Sequence, residues 1–282
     1  MAILSINDVL RQEILESLEG SESILVKSVI DLTSQVKPGS DRTTIPNVTG
    51  LALSSVSSGS RASAGGMTTT GSVLLLDQVK QVPEYINYAN GVQSALEMKS
   101  SFLAHAPKVF AQGIEAAIAA KLATASAGDF DSASATAGVF AIADIALAKK
   151  KLDQAKVPYN DRWMAVNAEG MSVLASMQEF QDGQKSLSPE ALRQGAVSQV
   201  KGFKVIQSED ITGTGATLKV HFYHKSAIAF ALQDGVNFVE QMDEAYGQEF
   251  VALRGIYGVI DCDNASNLGK RKITMLCSTA TA

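Results

Sequence analysis

Histidine occurs only three times in this chain of 282 residues, and cysteine only twice. So small a supply of imidazole and thiolate leaves few ways to build a metal centre or an activated nucleophile. The cysteines, Cys262 and Cys277, fit no zinc or redox spacing. They read as reduced thiols packed as small apolar groups. His221 and His224 form an H-x-x-H, but they sit in VHFYH, which reads as a strand. Residues three apart on a strand point to opposite faces, so a shared metal is not expected. His105 reads as a half-exposed helix residue. Aromatics make up only 6% of the chain, and an excess of basic charge is also missing: Lys and Arg number 24 against 29 Asp and Glu, net charge −5. That argues against a protein that reads nucleic acid through a basic footprint, though not against one that merely encloses it. Nowhere is the chain apolar for the ~18 residues of a membrane span. The N-terminus MAILSINDVL has no basic region leading into an apolar one, so the expectation is a soluble protein made in the cytoplasm. Dinucleotide-binding, P-loop and nucleophile-elbow patterns are missing as well. Asp77, Asp261 and Asp263 read as turn or surface acids. No catalytic residue, cofactor or metal is expected, and the chain is not expected to be an enzyme.

What is present is a 46% hydrophobic chain, enough for a real core. Ser5 can cap a helix to about Leu18, in which Ile6, Leu10, Ile14 and Leu18 form a narrow stripe. ILVKSVIDL follows, an apolar strip that can pack on its own chain or lie along a neighbour. The run SSVSSGSRASAGGMTTTGS, from Ser54 to Ser72, then has no apolar period and one charge, Arg61. Both its flanks read as strands. A structureless loop of this length is uncommon in a compact domain and is usually functional or a linker. An isolated hairpin is marginal in water, so ordering such a tip needs something outside it. Pro46 and Pro83 mark the two strands as edge-like.

The longest helical pattern runs from Val92 to Ala123, with Phe110, Ile114, Ile118 and Leu122 four apart. Pro107 should kink or split it. A second helix is expected after Gly128, capped by Ser134 or Thr136, with Val139, Ile142, Ile145 and Leu152 on one face. Lys149, Lys150 and Lys151 suit its C-terminal end. Beyond Val157 come a turn at Pro158–Asp161, a strand Arg162–Val166 and a short helix capped by Asn167. Another helix starts at Ser188. Strands follow at Val200–Gln207 and Thr217–Tyr223, and AIAFAL continues their sheet. EFVALRGIYGVIDC and KITMLCS alternate again. The chain reads as α+β.

The order of parts resembles the tailed-bacteriophage major capsid protein with the HK97-type fold. The local text carries the resemblance: ALAKKKLDQAKVPYNDRWMAVNAEGMSVLAS is similar to the family's helix, turn, strand and short helix. VKGFKVIQSED resembles its strand after a glycine turn, HFYHKSAIAFALQ an internal strand segment, and RGIYGVIDCDNAS its closing strand. The resemblance spans nearly the whole chain. It implies an N-terminal arm (1–36), an extended β-hairpin loop (37–84), a peripheral domain with the spine helix (85–126 and 236–282) and a mixed α/β axial domain (127–235). It implies hexamers and pentamers closing an icosahedral shell around double-stranded DNA in the virion, without sequence-specific binding. Inter-subunit contacts would include Leu10 and Ile14 on the arm and Arg42, Arg61 and Met67 on the loop. Some members join subunits through a Lys–Asn bond, but between Lys37 and Lys80 this loop has no lysine. A separate scaffolding protein, a portal and a possible decoration protein are the expected partners.

Three other readings compete. An encapsulin-type nanocompartment shares the fold but holds enzyme cargo, and would show a pocket for a cargo tail. A flagellin-type filament subunit needs apolar heptads at both chain ends, whereas this C-terminus is strand-like. An enzyme with a flexible Ser/Gly-rich lid would lose turnover on Asp or His substitution.

Overall fold

The computed structural model describes residues 25–37, 39–49, 68–126, 128–132, 139–177, 199–213, 217–233, 237–243, 246–262 and 271–277. The expected helices at Ser5–Leu18 and after Ser188 lie outside them. The described chain begins with a 3₁₀ turn, Leu25–Ser28, whose Leu25, Val26 and Ser28 are buried. The apolar strip therefore packs on its own chain. Strand β1 (Ile30–Asp31) follows. Strands β2 (Arg42–Thr49) and β3 (Thr68–Leu75) form the expected hairpin, and β4 (Gln78–Asn87) continues from it.

Helix α1 runs from Tyr88 to Leu122, 35 residues, with Pro107 inside it. It spans about 52 Å at 1.5 Å per residue. Pro107 does not split it. The lost backbone bond and ring clash cost about 3 kcal/mol. That is less than is gained by burying Phe110, Ile114, Ile118 and Leu122 on one face, at roughly 1.5–3 kcal/mol each.

Strand β5 (Phe130–Asp131) precedes helix α2 (Ile142–Gln154), which starts later than a cap at Ser134 or Thr136 requires. Asp144 closes its N-terminus instead: the carboxylate accepts from the Ala141 N–H at 3.0 Å and from the Ser132 hydroxyl at 2.7 Å. Ile145 and Leu152 are buried as expected. Strand β6 (Arg162–Val166) and helix α3 (Ala168–Ser176) match their expected positions, and the Asn167 side chain accepts from the Gly170 N–H at 2.9 Å. Arg162 is buried and fastens the turn before it, donating to Asp153 and to the Val157 and Pro158 carbonyls.

Val200–Gln207 is not one strand. β7 (Gln199–Val200) turns through Lys201 and Gly202, both at positive φ, into β8 (Phe203–Gln207), and the two pair antiparallel. A turn with two left-handed residues suits the twist of a tight hairpin. Strand β9 (Leu218–His224) is followed by a 3₁₀ turn at Lys225–Ala227 and by β10 (Ile228–Leu232). That turn carries AIAFAL into a different sheet, so it does not continue the sheet of β9. The last strands are β11 (Asn237–Asp243), β12 (Gln248–Asp261) and β13 (Lys272–Cys277).

Two sheets organise the body. In one, the order is β1-β10-β12-β11, with β4 along the other side of β12. Here α1 packs through Phe110, Ile114 and Ile118 in one core with Phe230, Leu253 and Tyr257. In the other, the order is β5-β13-β9-β6-β8-β7. Its core joins Phe203 and Phe222 to Ile145 and Leu152 of α2 and Leu174 of α3. The hairpin β2–β3 makes a two-stranded ladder of its own.

Candidate inter-subunit interface

Among the described residues the hairpin is tied to the body at its root. Alternation in β3 and just after it sends Leu74 and Leu76 inward, where they pack with Leu32, Ala229 and Ala231. The Leu76 N–H donates to the Asp41 carbonyl at 2.9 Å. At Gly258 of β12 the returning strand passes so close that a Cβ would lie 2.1 Å from the Leu75 carbonyl oxygen. Only glycine allows that approach. Above the root, eight residue pairs from Arg42–Leu75 to Thr49–Thr68 hold the ladder together.

The same alternation turns Val73 and Leu75 outward, where both are exposed. With Val109 of α1 and Val82 of β4 they line a groove of about 690 Å³, whose other walls include Tyr257 and Ile260 of β12. Asp77, Lys80 and Lys121 are the charged groups in its lining. Val79, next to it on β4, is 69% exposed. A second apolar patch lies where β4 meets the end of the β11–β12 hairpin. The Tyr85 and Phe250 rings stand 5.1 Å apart, and Tyr85, Met242 and Tyr246 are exposed. An exposed apolar surface of this kind marks association rather than reaction.

Of the contact residues expected from the sequence, Arg42 is placed at the hairpin root, where its guanidinium bonds both oxygens of Asp41 at 3.0 Å. This hydrogen bonding holds the Asp41 carboxyl below its usual range and raises the Arg42 guanidinium. The pair is exposed and contributes little to stability. Arg61, Met67, Leu10 and Ile14 lie outside the described residues. Sequence reasoning missed Val79, Val109 and Gly258. The signal was there in part, as alternation through SVLLLDQV, but which face stayed bare depends on where β12 crosses.

His105 is exposed on α1 rather than half-exposed, whereas the other chemistry-bearing side chains named from the sequence and described here are engaged structurally or buried, Asp77 apart. Among the described residues no group of three or more His, Cys, Asp and Glu could hold a metal. His221 is buried and bonds the Thr274 hydroxyl at 2.9 Å, whereas His224 bonds Ser226 at 2.7 Å. Burial first, then the charges of Lys219 and Lys272, bring the His221 imidazole down to about 3. Burial pushes the Cys277 thiol up to about 12, and Cys262 is buried too. Asp261, read as a surface acid, is buried and ion-paired with Lys272. The strand places it at the end of β12, facing the start of β13, which alternation alone does not reveal.

Comparison with known proteins gives one consistent result. A family model described as phage capsid protein matches residues 75–248. No curated protein sequence matches. Among solved structures, one of Mycobacterium phage Che8 superposes with a TM-score of 0.72 at 21% identity, covering 89% of this chain and 90% of that one. The capsid structure of the cyanophage P-SCSP1u gives 0.67 at 13% identity, covering 90% and 87%. The capsid of an empty GTA particle gives 0.64 at 14% identity, covering 92% and 91%.

Proposed function

The chain belongs to the phage capsid protein family, and on that premise we propose how this shell-forming structural protein of the virion builds its shell. Copies associate as hexamers and pentamers, and the hairpin of one copy lies across the next. Repeating that heterologous contact around a closed lattice encloses double-stranded DNA without reading it. The single observation that carries the reading is the hairpin itself: a two-stranded ladder with no third strand beside it among the described residues. Such a ribbon is marginal in water, and a large inter-subunit interface supplies what it lacks. The exposed Val73, Leu75 and Val109 at its root are surface that such an interface would cover.

In this reading Leu10 and Ile14 on the arm, and Arg42, Arg61 and Met67 on the loop, make inter-subunit contacts. The sheet carrying α1 corresponds to the peripheral region and the sheet around β9 to the axial region. β10 is counted with the first and β13 with the second, because that is where they pair. A separate scaffolding protein, a portal and a decoration protein act with it, and synthesis takes place in the host cytoplasm. Light scattering and electron microscopy of the purified protein, with and without co-expressed head proteins, test the proposal. Closed particles tens of nanometres across are expected, and removal of residues 57–70 should leave capsomers that close poorly. A small oligomer under every condition overturns it.

A further inference from the structure

Glu115 sits midway along α1, 5% exposed, with its carboxylate aimed away from solvent and into polar company. One oxygen, Oε1, accepts both from the Leu25 N–H at 3.4 Å and from the Ser208 hydroxyl at 3.0 Å. No cation pairs with it among the described residues. Asp210, just past β8 and itself raised by burial, adds a repulsive field when ionised. From β9 the facing titratable group is the Tyr223 phenol, buried and raised by that burial, so neutral. Lys27, in the turn that Glu115 holds, is exposed.

The turn is gripped at its other end as well. The Ser28 hydroxyl donates to the Leu25 carbonyl at 2.6 Å, which leaves Ser28 Oγ to accept from the Tyr223 hydroxyl at 2.6 Å. The single residue Leu25 is thus held by its N–H from α1 and, through Ser28, by its carbonyl from β9. Of the two grips, the one at Glu115 rests on a carboxyl group and the other on hydroxyls.

We propose that Glu115 is a proton-operated latch: carrying a proton, it grips the Leu25–Ser28 turn, and having released the proton to solvent, it lets that turn come away from the helix. Ionising a carboxyl in this position sets a buried charge beside Asp210 without a counter-ion, and opening the turn returns the charge to water. Burial, the largest influence, raises the Glu115 carboxyl above its ordinary range. The sign follows. The closed form binds the proton more tightly than the open form, so closure is favoured in acid. It weakens as pH climbs from the ordinary carboxylate range to the raised value. The latch is a property of the single chain. Its consequence for a shell, that acid tightens the arm and alkali frees it, rests on the arm reading above.

Hydrogen–deuterium exchange of the full chain tests the latch directly, whether or not particles form. After correction for intrinsic exchange, protection of residues 25–32 should fall as pH is raised from about pH 5 to about pH 8. Peptides from β9 and β13 should not follow it. Glu115→Gln keeps an acceptor oxygen and cannot ionise, so its protection should stay level. Two further variants serve if Glu115→Gln folds poorly. Ser208→Ala removes a donor that favours the charge and should carry the fall to higher pH. Asp210→Asn removes the repulsion and should shrink the fall and end it at lower pH. Level protection in the unaltered chain, or the same fall in Glu115→Gln, overturns the proposal.

Discussion

The ammonium of Lys272, at the start of β13, is bonded to the buried carboxylate of Asp261 at the end of β12, and the same ammonium donates to the Lys121 carbonyl in the last turn of α1 at 2.9 Å. One side chain therefore joins both sheets to the C-terminal end of the long helix. Thr274 adds to the junction, its N–H donating to Asp129 at 2.7 Å.

Breaking this pair takes from a buried charge the opposite charge bonded to it. Lys272→Met or Asp261→Leu should each lower the unfolding free energy by about 3–5 kcal/mol. The double replacement should lose less than the sum, because the two side chains bond each other directly. Denaturant unfolding of the four proteins in a double-mutant cycle measures the coupling.

Acid acts through His221. The unfolded imidazole titrates near its usual value of 6.5 and the folded one only near 3. The unfolded chain thus binds more protons between those values. Stability from this residue is complete above pH 6.5 and is lost as pH falls through that window. His221→Gln should flatten the acid limb of a plot of Tm against pH. An unchanged limb means that other groups drive acid unfolding.

Two glycines in β12 should differ sharply. A Cβ at Gly258 meets the Leu75 backbone carbonyl at 2.1 Å, whereas one at Gly255 meets the Phe110 ring at 2.6 Å. A ring can turn, but paired backbone cannot. Gly258→Ala should destabilise by more than the roughly 1–3 kcal/mol of ordinary overpacking, and Gly255→Ala should stay within it. Thermal melts of both variants, with exchange protection at the hairpin root, separate the cases.

The exposed apolar root should matter to assembly and not to folding. Val79→Lys alters a side chain 69% exposed on an edge strand, so unfolding of the unassembled chain should change by no more than about 0.5 kcal/mol. Particle yield by sedimentation should fall. Equal yield would remove this face from the interface.

Replacing Ile118, buried in the face of α1 that meets the first sheet, by Ala should cost about 2–5 kcal/mol. Calorimetry checks it. A loss below that range would mean that the core closes around the gap.

Much of the local structure was legible because it is written in neighbouring residues. The four-residue recurrence of Phe110, Ile114, Ile118 and Leu122 announced the buried face of α1, and β-type alternation announced β6. Asn167 announced the cap of α3. The strand-like flanks of the soft run beyond Ser54 announced the hairpin β2–β3. Tertiary structure decided the rest. Periodicity says that a segment is a strand but not which strand it will pair with, so β10 and β13 joined sheets that alternation could not assign. Pro107 stayed in the helix because burial along the whole face outweighs one lost bond. Lys272 with Asp261, and Glu115 with Leu25 and Ser208, meet across 11, 90 and 93 residues of chain. Such pairings exist only once the sheets and the helix have closed around them, because a local pattern carries no record of the distant group that will satisfy a buried charge.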